Sequence, residues 1–193
     1  MCADRTEPSN DSGETTQTGF EFAFQYDLSH YEDRLGWASG FGVIANYTTQ
    51  RFSGGEILDV TSGRGRNVLG LAALPRGLLD FSEEAFNFTL YYEKYGLSAR
   101  ARYTWRDDFR TQDFGGGANE SGSSTFSFPV VTEDRGQLNL SVNYDVTDQL
   151  NVGVEVVNAT EEGITQRCVS SSGPVCFEGL PDRRITFGAS YRF

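Results

Sequence analysis

The side chains best placed for chemistry are three arginines, Arg100, Arg102 and Arg106, at even spacings from one another and following Glu93. Residues two apart in an extended chain share a face. These cations could therefore form a track for an anionic ligand, or they could be the ordinary charged lining of a water-filled lumen. Two carboxylate pairs, Asp107-Asp108 and Glu161-Glu162, have no base or metal partner in view and read as solvated strand ends. Glycine runs at Gly54-Gly55, Gly63-Arg64-Gly65-Arg66 and Gly115-Gly116-Gly117 lack the strand-then-helix setting and the Lys-Ser/Thr of a phosphate loop, and read as flexible loops. One His, three Cys and no Cys-x-x-Cys pair in 193 residues leave no zinc-ligand set and no Cys/His nucleophile pair. No catalytic residue, metal ligand or cofactor is assigned, and the chain is not expected to be an enzyme. The 27 acidic against 16 basic side chains, a formal charge of −11, argue against a nucleic-acid partner.

What has to position these residues is extended chain. Aromatics at 13% and 22 glycines, with few helix-forming runs, favour an all-β protein. No stretch has the ~18 consecutive apolar residues of a membrane-crossing helix, but strands that cross a membrane leave a fainter trace. Residues 1–18 are polar and without periodicity, an extended loop or disordered start. From Gly19 the pattern changes to strict alternation: Phe20, Phe22, Phe24, Tyr26 and Leu28 against Glu21, Ala23, Gln25 and Asp27. The same period of two recurs from Phe41, Phe86, Leu97, Leu138, Leu150 and Ile185, giving seven strands, each with an apolar and a polar face.

Alternation by itself also suits a soluble or surface β-sandwich that binds glycans through its loops. Length favours another reading, because runs of about 9–11 residues match a tilted bilayer crossing, whereas soluble strands average about 5–6. The connections alternate too. Residues 29–39, Tyr95-Gly96 and Thr147-Asp148-Gln149 are shorter turns at one end; 51–82, 110–134 and 160–183 are long polar loops at the other. That asymmetry, with Tyr and Trp gathered toward strand ends, is the pattern of an antiparallel transmembrane β-barrel. In that geometry Glu21, Arg100, Arg102, Asn139, Asn143, Glu155 and Arg184 face the lumen, and Phe22, Leu90, Ala101, Leu140, Val154 and Phe187 face lipid. Leu140→Arg should then block insertion and Asn139→Arg should be tolerated. Seven is an odd count, so either Ile57-Leu58-Asp59-Val60 adds an eighth strand and closes a small barrel of adhesin or structural type, or the chain is part of a larger one.

Particular segments carry a family resemblance. The stretch from Leu90 to Tyr103 with Trp105-Arg106-Asp107-Asp108-Phe109, then Arg135-Gly136-Gln137-Leu138, Tyr144-Asp145-Val146-Thr147-Asp148-Gln149-Leu150 and Val156-Val157-Asn158-Ala159-Thr160-Glu161-Glu162, resembles the closing hairpins of TonB-dependent outer-membrane receptors. The family's Asn-Leu-Thr-(Asp/Asn)-Glu has Ala159 and Glu161 here at its second and fourth places. The last residues, Gly188 to Phe193, resemble the family's terminal strand, where Phe187, Tyr191 and Phe193 would form the signal read by the barrel-assembly machinery. The resemblance implies an all-β fold, with residues 19–193 the C-terminal part of a barrel of about 22 strands. It also implies an upstream plug domain through which the TonB system acts, absent from this chain, whose start would reflect a truncated or misassigned reading frame. The expected setting is the lipid of the bacterial outer membrane. The expected role is uptake of a nutrient of siderophore, cobalamin or oligosaccharide class. With loop 160–183 outside the cell, Cys168 and Cys176 are expected to form a disulfide, having crossed an oxidising compartment, and Cys2 to stay unpaired.

Overall fold

The computed structural model describes residues 15–54, 57–58, 74–75, 81–118 and 124–193. In chain order the described strands are β1 (Thr15–Asp27), β2 (Phe41–Gly54), β3 (Ile57–Leu58), β4 (Leu74–Pro75), β5 (Glu84–Lys94), β6 (Leu97–Arg106), β7 (Phe109–Ala118), β8 (Ser124–Thr132), β9 (Arg135–Asp145), β10 (Leu150–Val157), β11 (Ile164–Cys168), β12 (Val175–Gly179) and β13 (Arg184–Tyr191). Seven of them form a single antiparallel sheet in the order β1-β2-β5-β6-β9-β10-β13. They are the seven alternating runs. β1 and β2 are 13 and 14 residues long and β5, β6 and β9 are 11, 10 and 11, beyond the usual soluble strand. The sheet is open, with β1 and β13 at its two edges.

An eighth strand from Ile57 is not part of this sheet. Ile57–Leu58 pairs with Leu74–Pro75 in a separate two-stranded ribbon, and Asp59 and Val60 lie outside the described residues, as do Cys2 and Gly63 to Arg66.

Side chains directly opposite in an antiparallel pair share a face, so the registers trace each face across the sheet. One row runs Phe22, Tyr47, Phe86, Trp105; Phe22 and Tyr47 have ring centroids 6.4 Å apart, and Phe86 and Trp105 5.6 Å. In a two-layer domain this aromatic face would be covered by a second sheet. Here it is open: Phe22 is 61% exposed and Phe187 81%, and among the described residues the buried apolar side chains are only Val130 and Cys168. The sandwich expectation fails on that exposure.

Turn chemistry explains the end with the shorter connections. Tyr95 and Gly96 both have positive φ, 57° and 72°, the two-residue turn whose twist matches the strands it joins. Thr147 Oγ1 accepts from the backbone N–H groups of Gln149, at 3.2 Å, and Leu150, at 3.0 Å. Residues 29–40 form a compact bracket, a 3-10 turn, one helical turn (Glu32–Leu35) and a second 3-10 turn. Lys94 pins it, donating to Glu32 Oε1 (2.9 Å), the Gly36 carbonyl (2.7 Å) and Ser39 Oγ (2.7 Å).

The other end departs from the expectation of irregular loops. Residues 110–134 are mostly the hairpin β7–β8, and 160–183 contains the hairpin β11–β12; β8 pairs with β11, making a four-stranded sheet β12-β11-β8-β7. Gly115 to Gly117 lie within β7 rather than in a flexible loop. Extended segments with unpaired N–H and C=O groups pair when brought side by side, and β9 and β10 bring these two together.

Candidate functional site

The residues assigned to the lumen all fall on one face. Arg102 is opposite Thr89 and Asn139, Arg100 opposite Tyr91 and Ser141, and Ser141 opposite Glu155, which in turn faces Thr186. Asn143 lies between Ser98 and Gly153. Glu21 pairs with Thr48 and Arg184 with Val157 on the same face, away from the centre. At the centre Arg100, Arg102, Asn139 and Glu155, with Asn46, Asn87, Thr89 and Ser141, line a groove of about 480 Å³. Ser141, Asn143 and Glu155 also line a neighbouring groove of about 330 Å³ that continues to Thr186 and Ser190.

The three arginines do not act as one track. Arg100 is held by Glu93, at 2.7 Å, and lies 5.9 Å over the Tyr91 ring; that ring crosses Gly42, where a Cβ would collide with it. Arg106, at the long-loop end, donates to Ser82 Oγ at 2.6 Å and stacks 3.8 Å from the Phe109 ring centroid. Arg102 remains exposed in the central groove beside Asn139.

One of the carboxylate pairs has a cation partner. Glu161 pairs with Arg183 at 3.0 Å. Burial raises the pKa of Asp108 above the ordinary carboxylate value, and the charges of Asp107, Asp134 and Glu83 add to the rise. Neither pair is merely a solvated strand end.

Asn158, within the Asn-Ala-Thr-Glu-Glu segment, has a role that no local sequence signal announces. It is buried with φ of 56°. Its Nδ2 donates to the carbonyls of Glu162 and Asp182, each at 2.9 Å, and its Oδ1 accepts from Glu162 N–H at 2.9 Å. Asn139 Oδ1 accepts from Asn158 N–H at 2.9 Å and from Gln137 Nε2 at 2.9 Å. One side chain thus joins the top of β10, the start of β11 and the approach to β13. Asn139 is structural as well as groove-lining, so Asn139→Arg removes two acceptor contacts in addition to changing the groove.

Cys168 and Cys176 join β11 to β12 as a disulfide with Cα atoms 5.7 Å apart. Cys168 lies opposite Val130 of β8, and Arg167, paired with Glu133, donates to the Gly173 carbonyl at 2.9 Å. Phe187 and Tyr191 project from the aromatic face of the edge strand β13, and Phe193 follows it fully exposed. Tyr191 donates to Gln149 Oε1 at 3.2 Å, and its ring meets Phe193 edge-on at 5.4 Å.

Comparison with known proteins agrees with this architecture. The family model for the TonB dependent receptor-like β-barrel matches residues 2–159. Among solved structures, the siderophore receptor PiuA from Acinetobacter baumannii superposes with a TM-score of 0.54 at 13% identity over 93% of this chain. The chain spans 22% of that protein's length. No curated protein matches the sequence.

Proposed function

The chain belongs to the TonB dependent receptor-like β-barrel family, and from that membership we propose that it forms part of the wall of an outer-membrane receptor that takes up a scarce nutrient, with siderophores, cobalamin and oligosaccharides as the substrate classes. The observation that carries this reading is a sheet one layer thick, with an exposed aromatic face and an opposite face of Arg, Asn, Ser and Glu around a groove. Lipid on one side and water on the other satisfy both faces, while antiparallel pairing satisfies the backbone. Residues 19–193 form the barrel segment in this reading, and residues 1–18 lead into it. Glu21, Arg100, Arg102, Asn139, Asn143, Glu155 and Arg184 line the lumen. The Cys168–Cys176 hairpin stands outside the cell, and Phe187, Tyr191 and Phe193 present the assembly signal to the barrel-assembly machinery. A plug domain in the same receptor links the wall to the TonB system. No residue here performs catalysis.

The test is insertion in the native outer membrane. Leu140→Arg places a cation on the lipid face at a cost of about 2–4 kcal/mol near mid-bilayer and should abolish outer-membrane recovery. Asn143→Arg, on the groove face, should leave it intact. Equal recovery of the two variants would refute the assignment of faces.

A further inference from the structure

Resting on that barrel-wall reading, we propose that the outer surface of β1 and β2 holds a binding site for a phosphate-bearing lipid of the outer leaflet, with Arg51 taking the phosphate and an aromatic groove below it taking an acyl chain. Arg51 lies on the aromatic face, in the row opposite Thr18, where it is exposed and has no ion pair or hydrogen bond among the described residues. Four hydroxyl residues are its register neighbours on that face: Thr18 opposite, Thr49 and Ser53 two residues either way along β2, and Thr16 opposite Ser53, with exposed Phe20 opposite Thr49 on the groove side. An arginine flanked by hydroxyl residues is suited to phosphate oxygens. The acidic neighbour is Glu84, opposite Thr49 on the β5 side, which leaves the β1 side of Arg51 open to an anion. Arg183, at the same end of the sheet, is occupied by Glu161.

Below this cluster Ala45 sits between Phe24 and Phe88 in the register and leaves a notch among larger rings. Phe22, Phe24, Tyr47, Phe86 and Phe88 line the resulting groove, about 550 Å³ in volume. Depth fits as well. From Phe41 to Arg51 the strand advances about 33 Å, which at the usual tilt is about 25 Å of height, the thickness of a barrel's apolar band. Arg51 thus stands where lipid phosphates lie, and the groove stands where acyl chains lie.

The test places p-benzoylphenylalanine at Tyr47, and separately at Ile185, exposed on the aromatic face of the far edge strand, in native outer membranes labelled with radioactive phosphate. Photolysis at position 47 should capture labelled lipid. Arg51→Glu should lower that capture by roughly tenfold, the loss of one charge-assisted contact, and Arg51→Lys should retain most of it. Capture at position 185 should be indifferent to both substitutions, which also shows that the variants fold and insert. Undiminished capture at 47 in Arg51→Glu, or capture at 185 alone, would overturn the site while leaving the barrel reading in place. Capture at neither position would overturn both.

Discussion

Asn158→Ala should release the β11–β12 hairpin from the top of the sheet. The substitution removes three side-chain hydrogen bonds of 2.9 Å, two to carbonyls and one from an N–H. At about 0.5–1.5 kcal/mol net for each bond, the loss is near 3 kcal/mol. Holding Ala at a φ of 56° adds about 1 kcal/mol, because Asn tolerates the left-handed region better. The sum, about 3–4 kcal/mol of local opening free energy, corresponds to amide exchange faster by roughly 10²- to 10³-fold. The assay is hydrogen exchange by mass spectrometry of peptides covering residues 158–168 and 179–186, in protein extracted from its native membrane. Two further variants separate the contributions. Asn158→Gly should relieve the backbone cost and recover about 1 kcal/mol relative to Ala. Asn158→Asp should stay at least as open as Gly, because it keeps the acceptor for Glu162 N–H but sets a carboxylate against two carbonyls. Wild-type protection in Asn158→Ala, or in Asn158→Asp, would refute the account of this residue as the hub.

Asn139→Arg should lose the acceptor for Asn158 N–H and Gln137 Nε2 and weaken the same hairpin by about 1–3 kcal/mol, yet still insert, unlike Leu140→Arg; outer-membrane recovery together with exchange rates separates the two effects. Replacing Cys168 and Cys176 by Ser should cost the hairpin about 2–3 kcal/mol by the chain-entropy estimate for so short a loop, read as faster exchange in β11 and β12, and unreduced digests of wild-type protein should yield the linked peptide. Asp108 has a pKa raised above the ordinary carboxylate value, so the folded protein holds its proton more tightly than the unfolded chain does. Its contribution is therefore most favourable below the unfolded pKa and is lost as pH rises through the folded one; Asp108→Asn should remove that loss, so that the stability of the variant relative to wild type is greater above the folded pKa than below the unfolded one, measured by denaturation at successive pH values.

The faces of the seven main strands were legible in the residues themselves. Alternation in Phe20 to Leu28 or Phe86 to Tyr92 is a local property, because the pleat turns each successive side chain to the opposite side whatever the partner strand is. The Tyr95-Gly96 turn was legible for a similar reason, since the conformational freedom of Gly96 belongs to that residue and not to its neighbours. Only the tertiary structure decided what happens above the sheet. Phe126, Phe128 and Val130 alternate as well, but the glycines before them hide the pattern, and nothing local says that β8 will find β11. That pairing exists because β9 and β10, joined by Thr147-Asp148-Gln149, hold the two long segments side by side. The division of the arginines has the same origin: Arg106 meets Ser82 and Arg100 meets Glu93, while Arg102, on the same polar face, opens into the groove. Asn158 could be quoted as a motif, but its partners at Asn139 and Asp182 are distant in sequence. Period and turn preference are set by a residue and its immediate neighbours; contacts of this kind exist only after register has brought remote segments together.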